Sequence, residues 1–260
     1  PEVPTGDNPP DGAILNYYLK TVPSGEITLT INDAQGNVVR TYSSKAEPTK
    51  EDLPKNVPDY WLAPAPVLPT NVGLNRFAWD LRYPDPPALR YGYYGEKLPY
   101  QEFTLTDHAV PGKTPHQIPQ GPLVVPGEYE AVLNVAGKTY RQKVTVGMDP
   151  RIKVSQADLV EHLNLQRKLT QAMAETYNWY NEVTAIRKDV VQRQKALVQN
   201  TAAKAAGDAL KAFEKDLDSF ETGTEEAPGF GALNRELTRL VTMVEEGDAR
   251  EVLTRPQHPA

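Results

Sequence analysis

The chain has 260 residues, 24% of them charged and 39% hydrophobic, with a net charge of −6 and no cysteine. Disulfides, thiol nucleophiles and cysteine-ligated metals are therefore excluded, and no run approaches the ~18–20 apolar residues of a membrane-spanning helix. An acidic balance (pI 5.4) without a dense basic stripe argues against nucleic acid or anionic lipid as a partner. Of the 24 prolines, 21 lie in the first 150 positions. Proline has no amide donor and breaks helix interiors, so the first part is not mainly helical, whereas the last part can be. That step predicts two domains, 1–148 and 149–250, with 251–260 as a frayed tail. The chain opens on Pro1, with neither a methionine nor a signal sequence, which points to a piece of something longer.

In chain order, the turn Asn8-Pro9-Pro10-Asp11-Gly12 precedes a β-rich run, Ala13–Leu19. Ile27, Leu29 and Ile31 alternate with Thr28, Thr30 and Asn32, as in a strand with one buried face. Asp33-Ala34-Gln35-Gly36-Asn37 is a hairpin turn, with Gly36 supplying positive φ. Val38, Val39 and Tyr42 begin the returning strand. Residues 45–72, with six prolines, form a long loop. The run 73–81 is a further strand, with Leu74 or Phe77 and Trp79 as its core residues. Residues 84–120 form a second excursion, rich in Tyr and Pro. The runs 127–135 and 139–146 make a hairpin through Ala136-Gly137-Lys138. Six or seven short strands separated by turns predict a small β-sandwich.

After Asp149-Pro150-Arg151, Ser155 and Asp158 form a capping pattern that opens a helix. Leu165, Leu169, Ala172, Thr176, Trp179, Val183, Ile186, Val190 and Leu197 recur at steps of three, four and seven. A helix from 155 to about 200 would be about 65–70 Å long, a length that points to coiled-coil packing. A second helix over about 202–221 presents Ala206, Leu210, Phe213, Leu217 and Phe220 on one face. A third over about 229–246 presents Phe230, Leu233, Leu237, Leu240, Val241 and Val244. The predicted fold class is α+β in two segregated parts. An Ig- or fibronectin-III-like β-sandwich is followed by an all-α antiparallel hairpin or three-helix bundle with one long helix.

Candidate chemistry is sparse. Asp107, His108 and His116 match no metal-ligand spacing, so no metal or cofactor is expected. Neither H-E-x-x-H nor G-x-S-x-G occurs. A glycosidase needs two carboxyls about 5–9 Å apart in a cleft. Asp33 is expected to bond local amides in its turn, and Asp80, beside Trp79 and Arg82, to make a structural ion pair. No catalytic residue is therefore assigned. Tyr91, Tyr93 and Tyr94, with Trp61, Tyr83 and Tyr100, form the candidate binding set, because tyrosine-rich loops give rigid amphipathic contact area to proteins or stack on sugars. The same rings could instead lie on the sandwich as a lid.

Three stretches resemble the Ig-like domain of flagellar hook-capping proteins. They are Ile31-x-Asp33-x-x-Gly36-x-x-Val39-Arg40, Gly73-x-Asn75-x-x-x-Trp79-Asp80 and Val125-Pro126-Gly127-x-Tyr129. A wider set resembles the C-terminal region of bacterial secreted proteins with sortilin-like BNR-repeat propellers, often labelled putative glycosyl hydrolases. That set is Asn8-Pro9-Pro10-x-Gly12-Ala13, Tyr17-Tyr18-Leu19, Gly73-Leu74-Asn75-Arg76-x-x-Trp79-Asp80-Leu81-Arg82-Tyr83, Gly121-Pro122-x-Val124-x-Pro126-Gly127-x-Tyr129 and Asp149-Pro150-Arg151. The resemblance spans about residues 8–250 and implies a structural role for Asp33, Gly36, Trp79, Asp80, Arg82, Gly127 and Tyr129. It also implies a secreted, periplasmic or cell-surface location in a bacterium. The Ser-x-Asp-x-Gly-x-Thr-Trp repeats of the propeller do not occur here, so any catalysis the label implies would belong to that other part. The expectation is a non-enzymatic interaction module whose partner is its own upstream propeller or a neighbouring subunit. A carbohydrate-binding accessory module of a secreted glycosidase is the alternative.

Overall fold

The computed structural model describes residues 12–46, 66–87, 89, 120–197 and 204–253. It is a mixed α+β chain of two sheets and three helices. The described residues divide into two compact units: 12–46, 66–84 and 120–163 in the first, and 85–89 (without 88), 164–197 and 204–253 in the second.

The first unit holds six strands: β1 (Ala13–Leu19), β2 (Thr28–Asn32), β3 (Val38–Ser43), β4 (Gly73–Trp79), β5 (Gly127–Val135) and β6 (Lys138–Val146). β1 pairs antiparallel with β4, and a four-stranded antiparallel sheet runs β3-β2-β5-β6. Strand alternation places one side chain in two on the core. Ile27, Leu29 and Ile31 are buried as their spacing predicts. In β4, Asn75, Phe77 and Trp79 share the buried face, so Leu74, one residue out of phase, is 70% exposed. Asn75 can be buried because its amide is fully used. Its Nδ2 donates to the Asn71 and Gly73 carbonyls, and its Oδ1 accepts the Asn71 amide.

Both sheets feed one hydrophobic cluster, with Leu19, Phe77 and Trp79 from the two-stranded sheet and Leu29, Ile31, Val39, Tyr42, Tyr129 and Ala131 from the other. Two edge-on aromatic pairs link them: Trp79 with Tyr129 at 5.4 Å and Phe77 with Tyr42 at 4.6 Å. The turns follow the sequence closely. Asp33 accepts the Gln35 and Asn37 amides at 3.0 and 2.8 Å, and Gly36 takes φ +84°. Ala136 and Gly137, both at positive φ, close the β5–β6 hairpin.

The helices are α1 (Gln156–Leu197), α2 (Lys204–Glu221) and α3 (Phe230–Leu253). Ser155 Oγ accepts the Asp158 amide and donates to its carboxylate, the reciprocal cap expected for α1. In the first turn, Gln156 donates to the Pro126 carbonyl just before β5. α2 and α3 hold 18 and 24 residues, together equal to the 42 of α1. Each is too short to match α1 alone, but the two in succession supply the same helical length.

Tyr17 donates to the Pro69 carbonyl at 2.5 Å and Tyr129 to the Val125 carbonyl at 2.6 Å. Donation requires the proton, and burial above all pushes both hydroxyls from the ordinary 10 up to about 12. The fold therefore favours the neutral form. This contribution is complete below pH 10 and is lost as pH rises through about 12. The thermal midpoint of the first unit should fall over that window, and a Tyr17→Phe, Tyr129→Phe double variant should flatten the step in circular-dichroism melts taken across it.

Candidate functional site

The residues singled out by sequence gather around the end of β4. Trp79 is fully buried, and its indole Nε1 lies 3.4 Å from the Arg82 carbonyl. The chain then turns sharply. Leu81 adopts φ +60°, a conformation that costs a branched side chain, and it is held there from both sides. The Arg82 amide donates to Asp80 Oδ1 at 3.2 Å, and the Leu81 carbonyl accepts the Val124 amide at 2.8 Å. Asp80 also takes the Arg40 guanidinium at 2.9 Å and the Tyr42 hydroxyl at 3.3 Å.

The expected structural ion pair of Asp80 therefore exists, but its cation is Arg40 on β3, not the adjacent Arg82. The Arg82 guanidinium reaches away to the Gly121 carbonyl at 2.8 Å. Tyr83 donates its amide to the Pro122 carbonyl and accepts Arg40 on its own carbonyl at 3.2 Å. Gly121 is glycine for a steric reason: a Cβ there would stand 1.9 Å from the Tyr83 carbonyl oxygen. Gly12 is the same case, with φ +105° and a Cβ position 2.0 Å from the Trp79 oxygen. Segments far apart in sequence, at Gly12, Arg40, Trp79–Tyr83 and Gly121–Val124, thus meet at one joint.

The other candidates divide. Asp33 is committed to its turn, adding the Asn37 side-chain amide at 3.0 Å. Tyr129 supplies core packing and a backbone bond. Gly127 has ordinary φ and open space at its Cβ position, so nothing in its surroundings requires glycine. Tyr83 packs against the core. Trp61, Tyr91, Tyr93, Tyr94 and Tyr100 lie outside the described residues, as do His108 and His116. Among the described residues, no three carboxylate or histidine side chains gather as a metal would need.

In the second unit the buried line of α1 differs from the predicted one. Thr176, Val183 and Val190 are buried as expected, but Leu165, Trp179 and Ile186 are 46%, 45% and 38% exposed. The seam is completed by residues one position further on, Gln166, Met173, Tyr180, Arg187 and Gln194. The partners explain the choice. Gln194 donates to Glu214 at 2.9 Å, and Arg187 reaches Asp218 and Glu221, both at 2.8 Å. Asn234, wholly buried, donates to the Met173 carbonyl and Thr176 Oγ1 and accepts the Leu89 amide. Gly231 allows close approach, since a Cβ there would meet the Tyr180 ring at 3.3 Å. Burial, then the Glu221 carboxylate, push the Tyr180 hydroxyl up.

The apolar flank left outside forms a second feature. Phe230 packs against Trp179, at 5.4 Å, and against Phe220, at 6.1 Å and nearly parallel to it. Trp179, Glu182, Val183 and Phe230 line a groove of about 350 Å³. Spacing of hydrophobic residues marks Trp179 and Phe220 as core, whereas the structure leaves them 45% and 52% exposed.

Compared with known proteins, the chain matches no family model, no curated protein and no solved structure.

Two expectations test these assignments in urea unfolding. Asp80→Ala removes the acceptor of three donors and should cost about 2–3 kcal/mol, more than Arg40→Met, which removes one of them. In the helical unit, Arg187→Met should cost about 2 kcal/mol by leaving the largely buried Glu221 carboxylate without its cation, whereas Ile186→Ala on the exposed flank should cost under about 1 kcal/mol. The reverse order would show that the seam runs through the apolar flank.

Proposed function

We propose that the chain is a non-catalytic structural and protein-interaction module, the C-terminal part of a larger secreted bacterial propeller protein. In this reading residues 1–148 form an Ig-like β-sandwich and 149–250 a helical hairpin. Three things support the architecture. The two sheets share one aromatic-bridged core. The Tyr129 hydroxyl bonds the backbone four residues upstream, as the tyrosine corner of Ig-type sandwiches does. Along α1 the contacts descend (194, 187, 179, then 176 and 173) while those of α2 and α3 rise (214, 218, 230 and 234), the order of an antiparallel hairpin whose second arm is broken once.

One observation carries the interaction role. The outer face of the β1–β4 sheet presents Ile14, Tyr18 and Leu74, with Val72 beside it, at 41%, 67%, 70% and 59% exposure. Tyr18 and Leu74 are direct cross-strand partners. Strand faces turned to water ordinarily alternate to polar residues, but here Asn16–Arg76 is the one polar cross-strand pair, set between Ile14–Ala78 and Tyr18–Leu74, and so largely apolar a face fits a protein contact. The docking partner in this reading is the propeller that precedes the module. The rival reading, glycan binding, rests on the tyrosines of 91–100. Tyr83, the described member of that set, is engaged with the core, which favours the protein contact.

The test is direct. The coding region upstream of Pro1 should encode a propeller with Ser-x-Asp-x-Gly-x-Thr-Trp repeats, and that propeller, expressed separately, should bind this chain in calorimetry. A Tyr18→Asp, Leu74→Asp double variant should weaken the complex at least about tenfold, as for central apolar anchors, with an unchanged melting temperature. Absence of such repeats, or binding indifferent to both substitutions, would overturn the proposal, and saturable binding on a glycan array lost in Tyr93→Ala would favour the rival.

A further inference from the structure

We infer that the apolar flank of the helical unit is a docking site for an amphipathic helix of about three heptads whose own apolar stripe is bordered by lysine or arginine. The flank has a regular interval. On α1, Leu165, Trp179 and Ile186 stand at multiples of seven, with Ala172 in the remaining place. α2 repeats the interval with Phe213 and Phe220, and α3 with Leu233 and Leu240. Each of the large residues directly precedes a member of the seam: Gln166, Tyr180 and Arg187 on α1, Glu214 and Glu221 on α2, Asn234 and Val241 on α3. Their exposure runs from 36% at Leu233 to 52% at Phe220.

The lines on the two arms join into one surface. Trp179 of α1 packs on Phe230 of α3, which packs in turn on Phe220 of α2. In antiparallel helices the position just before each seam residue comes out on the same side, so the two lines border a single shallow trough. The other side of the seam is different. Four residues beyond Glu214, Asn234 and Val241 stand Asp218, Thr238 and Glu245, all polar. An exposed apolar stripe on one side only, at the coiled-coil interval, is what a further helix covers. From Leu165 to Ile186 the stripe is about 32 Å long, which sets the partner helix at about 22 residues.

Charge decides between a second copy and a different helix. Three residues on from the stripe, α1 carries Lys168, Glu175, Glu182 and Asp189, all exposed. At the same step the other arm carries the exposed Asp216 and Glu236, with the uncharged Gly223 and Met243 completing the row. Arg193 and Arg239 answer Asp189 and Glu236. Glu175, Glu182 and Asp216 make no ion pair with any described residue. A second copy would set one carboxylate rim against another whichever arms met, and like charges juxtaposed across an interface are costly. Lysines or arginines beside the apolar stripe of a partner helix would meet those carboxylates instead, as e and g residues do in coiled coils. The inference shares with the reading above the antiparallel pairing of the helices, and needs neither the propeller nor the β1–β4 face.

Two synthetic peptides test it on the intact chain. A labelled peptide of about 22 residues, with leucine at a and d and lysine at e and g, should bind saturably in fluorescence anisotropy with a micromolar dissociation constant. Its counterpart with glutamate at e and g should bind at least about tenfold more weakly. Phe213→Asp should weaken the lysine peptide at least about tenfold. Glu182→Lys, an exposed change that leaves the helices intact, should weaken it about fivefold. The same charge change at exposed Asp208, five residues before Phe213 and so on the other side of α2, should shift it less than about twofold. Tyr18→Asp, Leu74→Asp, which tests the propeller contact, should leave peptide binding unchanged, and light scattering should give the mass of one chain. Absence of saturable binding, equal affinity for the two peptides, equal effects of Glu182→Lys and Asp208→Lys, loss of binding in the β1–β4 double variant, or a dimer dissolved by Phe213→Asp would each overturn the inference.

Discussion

The first unit depends on how one indole is accommodated. Trp79 is the largest side chain wholly removed from water in that core, and filling the space between two sheets with it is worth about 3–5 kcal/mol against truncation. The indole nitrogen must find an acceptor once buried, and the Arg82 carbonyl supplies it because the backbone reverses at Leu81. That reversal is strained for a leucine, so its surroundings must over-determine it. The Asp80 carboxylate and the segment around Gly121 do so. The glycines at 12 and 121 follow from the same crowding, since backbone passes where a Cβ would sit. A set of short, scattered motifs thus reads physically as one joint seen from several segments.

The helical unit obeys a different constraint. On α1 the line Thr176, Val183, Val190 can face a partner with either of two flanks beside it. Hydrophobicity favours Trp179 and Ile186, and the structure chooses Tyr180 and Arg187. The preference comes from the other arm, where Glu214, Asp218, Glu221 and Asn234 offer acceptors that Gln194, Arg187 and Thr176 match. Leucines slide over one another with little penalty, whereas a misregistered Arg187 would leave it and the Glu221 carboxylate unpaired in a largely buried place. Polar seams of this kind specify register. The aromatic flank is what remains on the surface.

These two arrangements separate architecture from recognition. The carboxylates that a hydrolase reading would recruit, Asp33 and Asp80, already serve a turn and a joint. Exposed apolar surface lies elsewhere, on the outer face of β1–β4 around Tyr18 and Leu74 and on the helical flank around Trp179 and Phe220.

The strands, their turns and the three helices were legible in the sequence because each is a local matter. Period-two alternation marked Ile27, Leu29 and Ile31. Asp33 with Gly36 marked a turn, Ser155 with Asp158 a cap, and the proline step a change of structural class near residue 150. Local patterns also placed Asp80 in a structural ion pair. Which cation it takes was not legible, since Arg40 lies 40 residues away and Arg82 only two. Likewise the sequence by itself marked an amphipathic stripe on α1 but could not choose its flank, because that choice is an energy of pairing with α2 and α3 and not a property of α1. Residue spacing determines what a segment can bury. Only the tertiary structure decides what it buries against, and with it which aromatic residues, Trp179 and Phe220 above all, stay exposed.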